Sequence, residues 1–195
     1  MNMIEMINKK IFWIFFKYIR TEYYFKYKRN IVFNKKCYVD KGSLLSLYGG
    51  GKIILGNNST ISKKCKIATC GGEIEIGNYS IIGDNATFLA NGGITIGNNV
   101  MFADGVKLIA NNHKYENIYL PISQQGSTSK GINIQDGVWI GMNVIVLDGV
   151  TIGENSIIGA GSIVTKNIPK YSVAVGNPAR VIKYYDINTK VWKNR

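Results

Sequence analysis

The sequence predicts an all-β chain wound into a parallel β-helix of triangular cross-section, and three observations predict it. An aliphatic residue recurs at every sixth position from Ile134 to Val164, the same spacing runs in triplets between Leu55 and Leu108, and paired glycines separate those triplets. Such a period is neither the 3.6 of an amphipathic helix nor the alternation of a half-buried strand, and it marks a solenoid.

The C-terminal series reads Ile134, Ile140, Val146, Ile152, Ile158, Val164. Four residues after each member comes a second series, Val138, Val144, Val150, Ser156, Ser162, Ile168, while Gly141, Gly153 and Gly159 directly follow members of the first. Each hexad is therefore one short strand and one corner. Its aliphatic residue points inward, the second-series residue fills the tight bend, and Gly or Asn takes backbone angles that a bulky side chain resists. The earlier triplets are Leu55, Ile61, Ile67, then Ile76, Ile82, Phe88, then Ile96, Phe102, Leu108, with Gly50-Gly51, Gly71-Gly72 and Gly92-Gly93 between them at intervals of twenty-one residues. Three hexads and a glycine turn make one three-faced coil. Coils stacked at ~4.8 Å satisfy one another's backbone groups and extend one apolar column.

An open solenoid end is an unpaired edge, so both ends need covers. Residues 1–36 are expected to form an N-terminal helical cap, because Ile4, Ile7, Ile11, Ile14 and Tyr18 follow helical spacing. Residues 37–170 form the β-helix with an inserted loop at 111–131, and residues 171–195 form an extension with a short helix over 181–188. The apolar run Ile11–Ile19 is too short for a bilayer core, which needs ~20 residues. It leads into Arg20-Thr21-Glu22 and not into a small-residue cleavage site, so a cytoplasmic protein is expected.

The formal net charge is +12 and lies at the ends: residues 1–41 carry ten Lys or Arg against three acids, 42–168 eight against eight, and 169–195 six against one. Anionic partners at the ends are implied: a membrane surface, a polyanionic glycan or a phosphate-bearing cofactor. The aromatic, basic N-terminus, with Trp13, Phe15, Phe16, Tyr23 and Tyr24, suits peripheral contact with the inner face of a membrane. No helix-turn-helix, RNP or OB pattern supports a nucleic-acid partner. Cys37, Cys65 and Cys70 lack zinc-type pairing and stand far from the single histidine, so no metal site is expected and the thiols read as reduced.

After Leu108 the hexads stop, to resume at Ile134. A long loop inside so regular a solenoid is most often functional. It carries Asn111-Asn112-His113-Lys114-Tyr115 and Gln124-Gln125-Gly126. A neutral imidazole can take a proton from an acceptor hydroxyl near pH 7, which makes His113 a candidate general base; an exposed loop histidine is the bland alternative.

The segments Val138-Trp139-Ile140-Gly141, Ile158-Gly159-Ala160-Gly161-Ser162-Ile163-Val164-Thr165-Lys166 and Gly176-Asn177-Pro178-Ala179-Arg180-Val181-Ile182 resemble the C-terminal half of bacterial sugar O-acetyltransferases of the hexapeptide-repeat kind. Those include the maltose and galactoside acetyltransferases and the polysaccharide-modifying enzymes, which the His113 loop resembles more. The resemblance covers roughly residues 40–185. It implies a left-handed winding, acetyl-CoA as co-substrate, a homotrimer with sites between subunits, and direct transfer to a sugar or glycan hydroxyl with His113 as base. It places the CoA groove on Gly141, Met142, Ala160, Thr165, Lys166, Arg180 and Lys183, with the Gly141 N–H as a candidate oxyanion donor. Asn85 and Asn91 are candidates for the acceptor sugar, and ordinary turn chemistry also explains both. Many relatives have Asp or a second His beside the base; here Asn112 and Lys114 flank it, which leaves a backbone carbonyl or Glu116 as the group orienting the imidazole. Two other readings stay open: N-acetylation of a nucleotide-linked amino sugar or antibiotic, and a non-catalytic β-helix scaffold. A carbonic anhydrase on the same prism would need several histidines, and this chain has one.

Overall fold

The computed structural model describes residues 30–40 and 42–195. These form a left-handed parallel β-helix of about six turns. Each coil lays one strand of two to four residues on each of three faces. The first face holds Ile31–Phe33, Lys52–Leu55, Glu73–Ile76, Ile94–Ile96, Ile132–Ile134 and Thr151–Ile152, paired in parallel in that order. The second runs from Tyr38–Val39 through Met101–Phe102 and Trp139–Ile140 to Ile157–Ile158 and Ser172–Val175. The third runs from Leu44–Ser46 through Lys107–Ile109 and Ile145–Leu147 to Ile163–Val164.

All fifteen first-series residues, Leu55 to Val164, are no more than 2% exposed and stack as the core. Phe88 and Phe102 are its largest side chains, with ring centroids 5.4 Å apart. Buried Ser59 and Ser80 fill corners and donate to the Gly77 and Gly97 carbonyls at 2.6 and 2.8 Å, so no bare hydroxyl is left inside. Between the first two faces, side chains bind the coils to one another. The backbone N–H groups of Asn57, Asn78 and Asn98 donate to the side-chain oxygens of Asn78, Asn98 and Asp136 at 2.8 to 2.9 Å.

The coil length shortens along the chain, which the glycine spacing alone does not convey. Phe33 pairs with Leu55, Leu55 with Ile76, Ile76 with Ile96, and Ile134 with Ile152. The trimming falls at the corner between the third and first faces, so the three-sided core is kept while that one corner tightens. The first coil also begins earlier than residue 37: Phe33, Val39 and Leu45 continue the hexad spacing, and Ile31–Phe33 is already a paired strand. Phe33, which the sequence reading assigns to the cap, and Val39 are only half-buried at the end of the column. The helical cap expected over Ile4 to Tyr18, and the membrane contact drawn from it, lie outside the described residues. No helix among the described residues is long and apolar enough to cross a membrane.

The short helix expected over 181–188 is not formed. Arg180–Asp186 is a strand that folds back antiparallel onto Ser172–Val175, and Val191–Asn194 pairs on its far side. The physical reason is twofold: Val181, Ile182, Tyr184 and Tyr185 favour a pleated surface over a helix, and the last coil offers an open edge that a returning strand satisfies. The hairpin turn is closed by the Asp186 carboxylate, which accepts from Asn188 N–H at 2.9 Å and pairs with Lys193. Tyr185 packs on Trp192 across the hairpin.

Candidate active site

The inserted loop leaves the corner between the third and first faces, after the fourth coil, as a two-stranded ribbon. Asn112 pairs with Thr128 and His113 with Ser127. Gln125 ties the ribbon's turn together: its amide donates to the Asn117 and Leu120 carbonyls, both at 2.8 Å, and accepts from Asn117 N–H at 3.0 Å. At the ribbon's base, Lys130 and Gly131 N–H donate to the Asp148 carboxylate at 2.8 and 2.9 Å. A Cβ on Gly92 would lie 2.4 Å from Gly131 N, so only glycine lets the returning strand seat there.

His113 is exposed, and among the described residues its imidazole has no hydrogen-bond partner. Glu116, a candidate to orient it, instead turns its carboxylate to Tyr115 N–H at 3.0 Å. Tyr115, Ile118 and Tyr119 on the same ribbon are 72 to 89% exposed, an apolar tip that no other described residue covers.

The remaining candidates fall into two groups on opposite sides of the third face. Asn91 and the pair Thr165-Lys166 share the His113 corner, Asn91 in the third coil and the pair in the sixth. Gly141, Met142 and Ala160 stack on the other corner, between the second and third faces, and Asn85 lies there too, in a left-handed turn with φ +58°. Asn85 and Asn91 are therefore not brought together: a strand of three residues, roughly 10 Å, separates their corners.

Gly141 sits where a Cβ would meet Ala160 N at 2.6 Å, so this position carries no side chain by necessity, while Met142 beside it is exposed. Its N–H donates to Ile158 O at 2.8 Å and is not available to an oxyanion. The adjacent Met142 N–H has no partner among the described residues. In earlier coils an acid fills this need: the N–H groups of Lys63 and Asp84 donate to the carboxylates of Asp84 and Asp104 at 3.0 and 2.8 Å. Ala160 occupies the next equivalent position after Met142 and offers no acceptor, which leaves the N–H open. Sequence reasoning missed this; the legible signal is the loss of the acid, which begins at Met142 and continues at Ala160, so that the Asp104 N–H is also without a partner among the described residues.

Arg180 and Lys183 lie in the returning strand, three apart, which in a regular strand would place them on opposite faces. A bulge between the pairs Val173↔Lys183 and Ala174↔Val181 restores them to one side, opposite Val175 and Val173 respectively. Both are exposed, on the strand that extends the second face beyond Ser172–Val175, with Arg180 at the end nearer the Gly159–Ala160 corner. Bare backbone at Gly141, an open N–H and two cations on one side of the returning strand are features that fit a thin pantetheine arm and anionic phosphates. Among the described residues no three His, Cys, Asp or Glu come together as a metal site. Burial raises the Cys65 thiol above its usual range, and the Cys37 thiol likewise, which suits inert fillers and not nucleophiles.

Residues 131–166 match the family described as bacterial transferase hexapeptide (six repeats). The crystal structure of a hexapeptide-repeat acetyltransferase from Vibrio cholerae, complexed with acetyl coenzyme A, is 30% identical, superposes with a TM-score of 0.60, and the match covers 72% of this chain and 73% of that one. The chain belongs to the hexapeptide-repeat acyltransferase family. Galactoside O-acetyltransferase of Escherichia coli K12 is 43% identical over 114 residues, 58% of this chain and 55% of that protein. A protein of the same strain named for lipopolysaccharide biosynthesis O-acetyl transfer is 26% identical over 196 residues, covering 97% of this chain and 89% of that one. The chain spans about half the length of several curated relatives it matches, 47% and 50% in two cases.

Proposed function

We propose that the protein is an acetyl-CoA-dependent O-acetyltransferase acting on a sugar hydroxyl, in surface polysaccharide biosynthesis, with His113 as general base. The observation that carries the reading is the pairing of two features: a two-stranded ribbon that holds an exposed imidazole without a partner among the described residues, and a tight corner at Gly141 followed, along the same prism, by a strand that sets Arg180 and Lys183 on one side. Relatives named as O-acetyltransferases, and one solved in complex with acetyl-CoA, support the same chemistry.

Acetyl-CoA supplies an activated acyl group. His113 takes the proton of the acceptor hydroxyl as that oxygen bonds to the thioester carbonyl carbon; the C–S bond then breaks, and the imidazolium returns the proton to the departing CoA sulfur. The Met142 N–H, in place of Gly141, is the donor to the transient oxyanion. No acyl-enzyme is required. His113 and the Gly141–Ala160 corner stand on opposite edges of the third face, so a complete site forms between copies, the ribbon of one prism reaching the Gly141 corner of the next in a homotrimer. The uncovered ribbon tip of Tyr115, Ile118 and Tyr119 supports that assembly. Asn91, beside His113, binds the acceptor; Thr165 and Lys166 join Arg180 and Lys183 in holding CoA.

The test is product chemistry. The full chain, incubated with radiolabelled acetyl-CoA and a panel of sugars, nucleotide-sugars and glycan fragments, is expected to yield a product whose label is released by mild hydroxylamine, as an ester requires. Label that resists hydroxylamine would mean an amide and replace this reading with N-acetylation.

A further inference from the structure

We propose that the first face carries a separate carbohydrate subsite: a polar groove that holds the neutral or amine-bearing saccharide units flanking the sugar to be acetylated. The proposal rests on the acetyl-transfer reading above and extends it to an oligomeric acceptor.

The three faces differ in what they turn outward. The second shows Ile81, Met101 and Trp139 in one register column, each 47% exposed, and the third shows Leu89, Ile109 and Leu147. The first face begins in the same style, with Val32 beside Ile54, and then changes: Glu75, Thr95, Asn133 and Thr151 follow in register. The change begins at Glu75, two coils before the strand Ile132–Ile134 at which the His113 ribbon rejoins the prism. There a cavity of about 410 Å³ opens, floored by that column and walled by Gly92-Gly93, Lys130 and Gly149. Its size lies in the range of small-molecule sites.

Three properties point to a saccharide. The column repeats at the coil spacing of ~4.8 Å, comparable with the length of one pyranose unit, so consecutive sugars can meet consecutive rungs. The side chains of Glu75, Thr95 and Asn133 have no hydrogen-bond partner among the described residues, and together they offer both donors and acceptors, as hydroxyl groups need. The charge is also telling: the cavity's own lining holds Glu73 and Glu75 and one base, Lys130, whose chain lies 3.1 Å from the position of a Gly149 Cβ, while Lys52 neighbours Glu73 in register outside that lining. Two carboxylates against one ammonium disfavour a polyanionic glycan and favour neutral or amine-bearing units. The ribbon supplies both His113 and the Lys130–Gly131 wall, so a chain lying in the groove is led toward the base.

The experiment uses the full chain on immobilised tetrasaccharides without acetyl-CoA: galactan, maltotetraose and glucosamine oligomers, with oligosialate and oligogalacturonate as anionic probes. Retention is expected on neutral or glucosamine-containing probes and not on the anionic ones. It should fall at least tenfold in Thr95→Val/Asn133→Ala, two outward positions whose change leaves acetyl-CoA affinity and far-ultraviolet dichroism unchanged. No retention, retention that survives the double substitution, or preference for the anionic probes overturns the groove. The two proposals separate cleanly: retention without acetyl transfer to any acceptor removes the transferase reading alone, whereas transfer to single sugars that is indifferent to the double substitution, with no tetrasaccharide retained, removes the groove alone.

Discussion

Gly141→Ala places a methyl group against the backbone of the next coil. The added Cβ would lie 2.6 Å from Ala160 N, 2.8 Å from Ile158 O and 3.0 Å from Ala160 Cα, where ordinary contact begins at 3.4 Å. None of these atoms is the end of a flexible chain, so the fifth and sixth coils must part by up to about 0.8 Å at that corner. That movement lengthens the Gly141 N–H to Ile158 O bond, now 2.8 Å. Gly141 does not have a positive φ, so its need is for space alone. Overpacking of this kind costs about 1–3 kcal/mol. Urea unfolding should show that loss, and calorimetric titration should show acetyl-CoA binding weakened about tenfold or more, because the same corner lines the proposed groove. A variant within 0.5 kcal/mol of the parent, with unchanged acetyl-CoA affinity, would refute both the tightness of the corner and its role.

Phe88→Ala should cost about 3–5 kcal/mol, since Phe88 is wholly buried against Phe102, and hydrogen exchange should locate the loosening in the third and fourth coils. Asn78→Ala removes the acceptor of Asn57 N–H and the donor to Asn98, a loss of about 1–3 kcal/mol by urea unfolding. The Lys193 ammonium, with Thr189 and Asn188 N–H, holds the Asp186 carboxyl down at about 2 from an ordinary 3.8. The hairpin's stabilisation is then complete above about pH 4 and lost as the pH falls through about 2; Trp192 fluorescence should report that transition, and Asp186→Asn should abolish it.

The inward hexads were fully legible because burial selects for size and apolarity at fixed spacing, and all of those from Leu55 to Val164 form the core. What each face turns outward was not, since water tolerates almost any residue there; Glu75, Thr95 and Asn133 acquire meaning only once the register sets them in a column. The short helix expected over 181–188 did not form because a returning strand there satisfies the open edge at Ser172–Val175, which only the folded coil presents. His113 stands out in the sequence by its place in an interruption, and the fold sets it on an exposed ribbon. The open Met142 N–H does not stand out there, as it depends on Ala160 one coil later lacking the carboxylate that earlier coils provide.

Release of CoA thiol, followed with acetyl-CoA and an accepted sugar in the parent and in His113→Ala, tests whether His113 is the base. A fall of two or more orders of magnitude in turnover is expected, with acetyl-CoA affinity retained, because His113 moves the proton and does not hold CoA. Equal turnover in the two proteins would remove His113 from the mechanism and contradict the account.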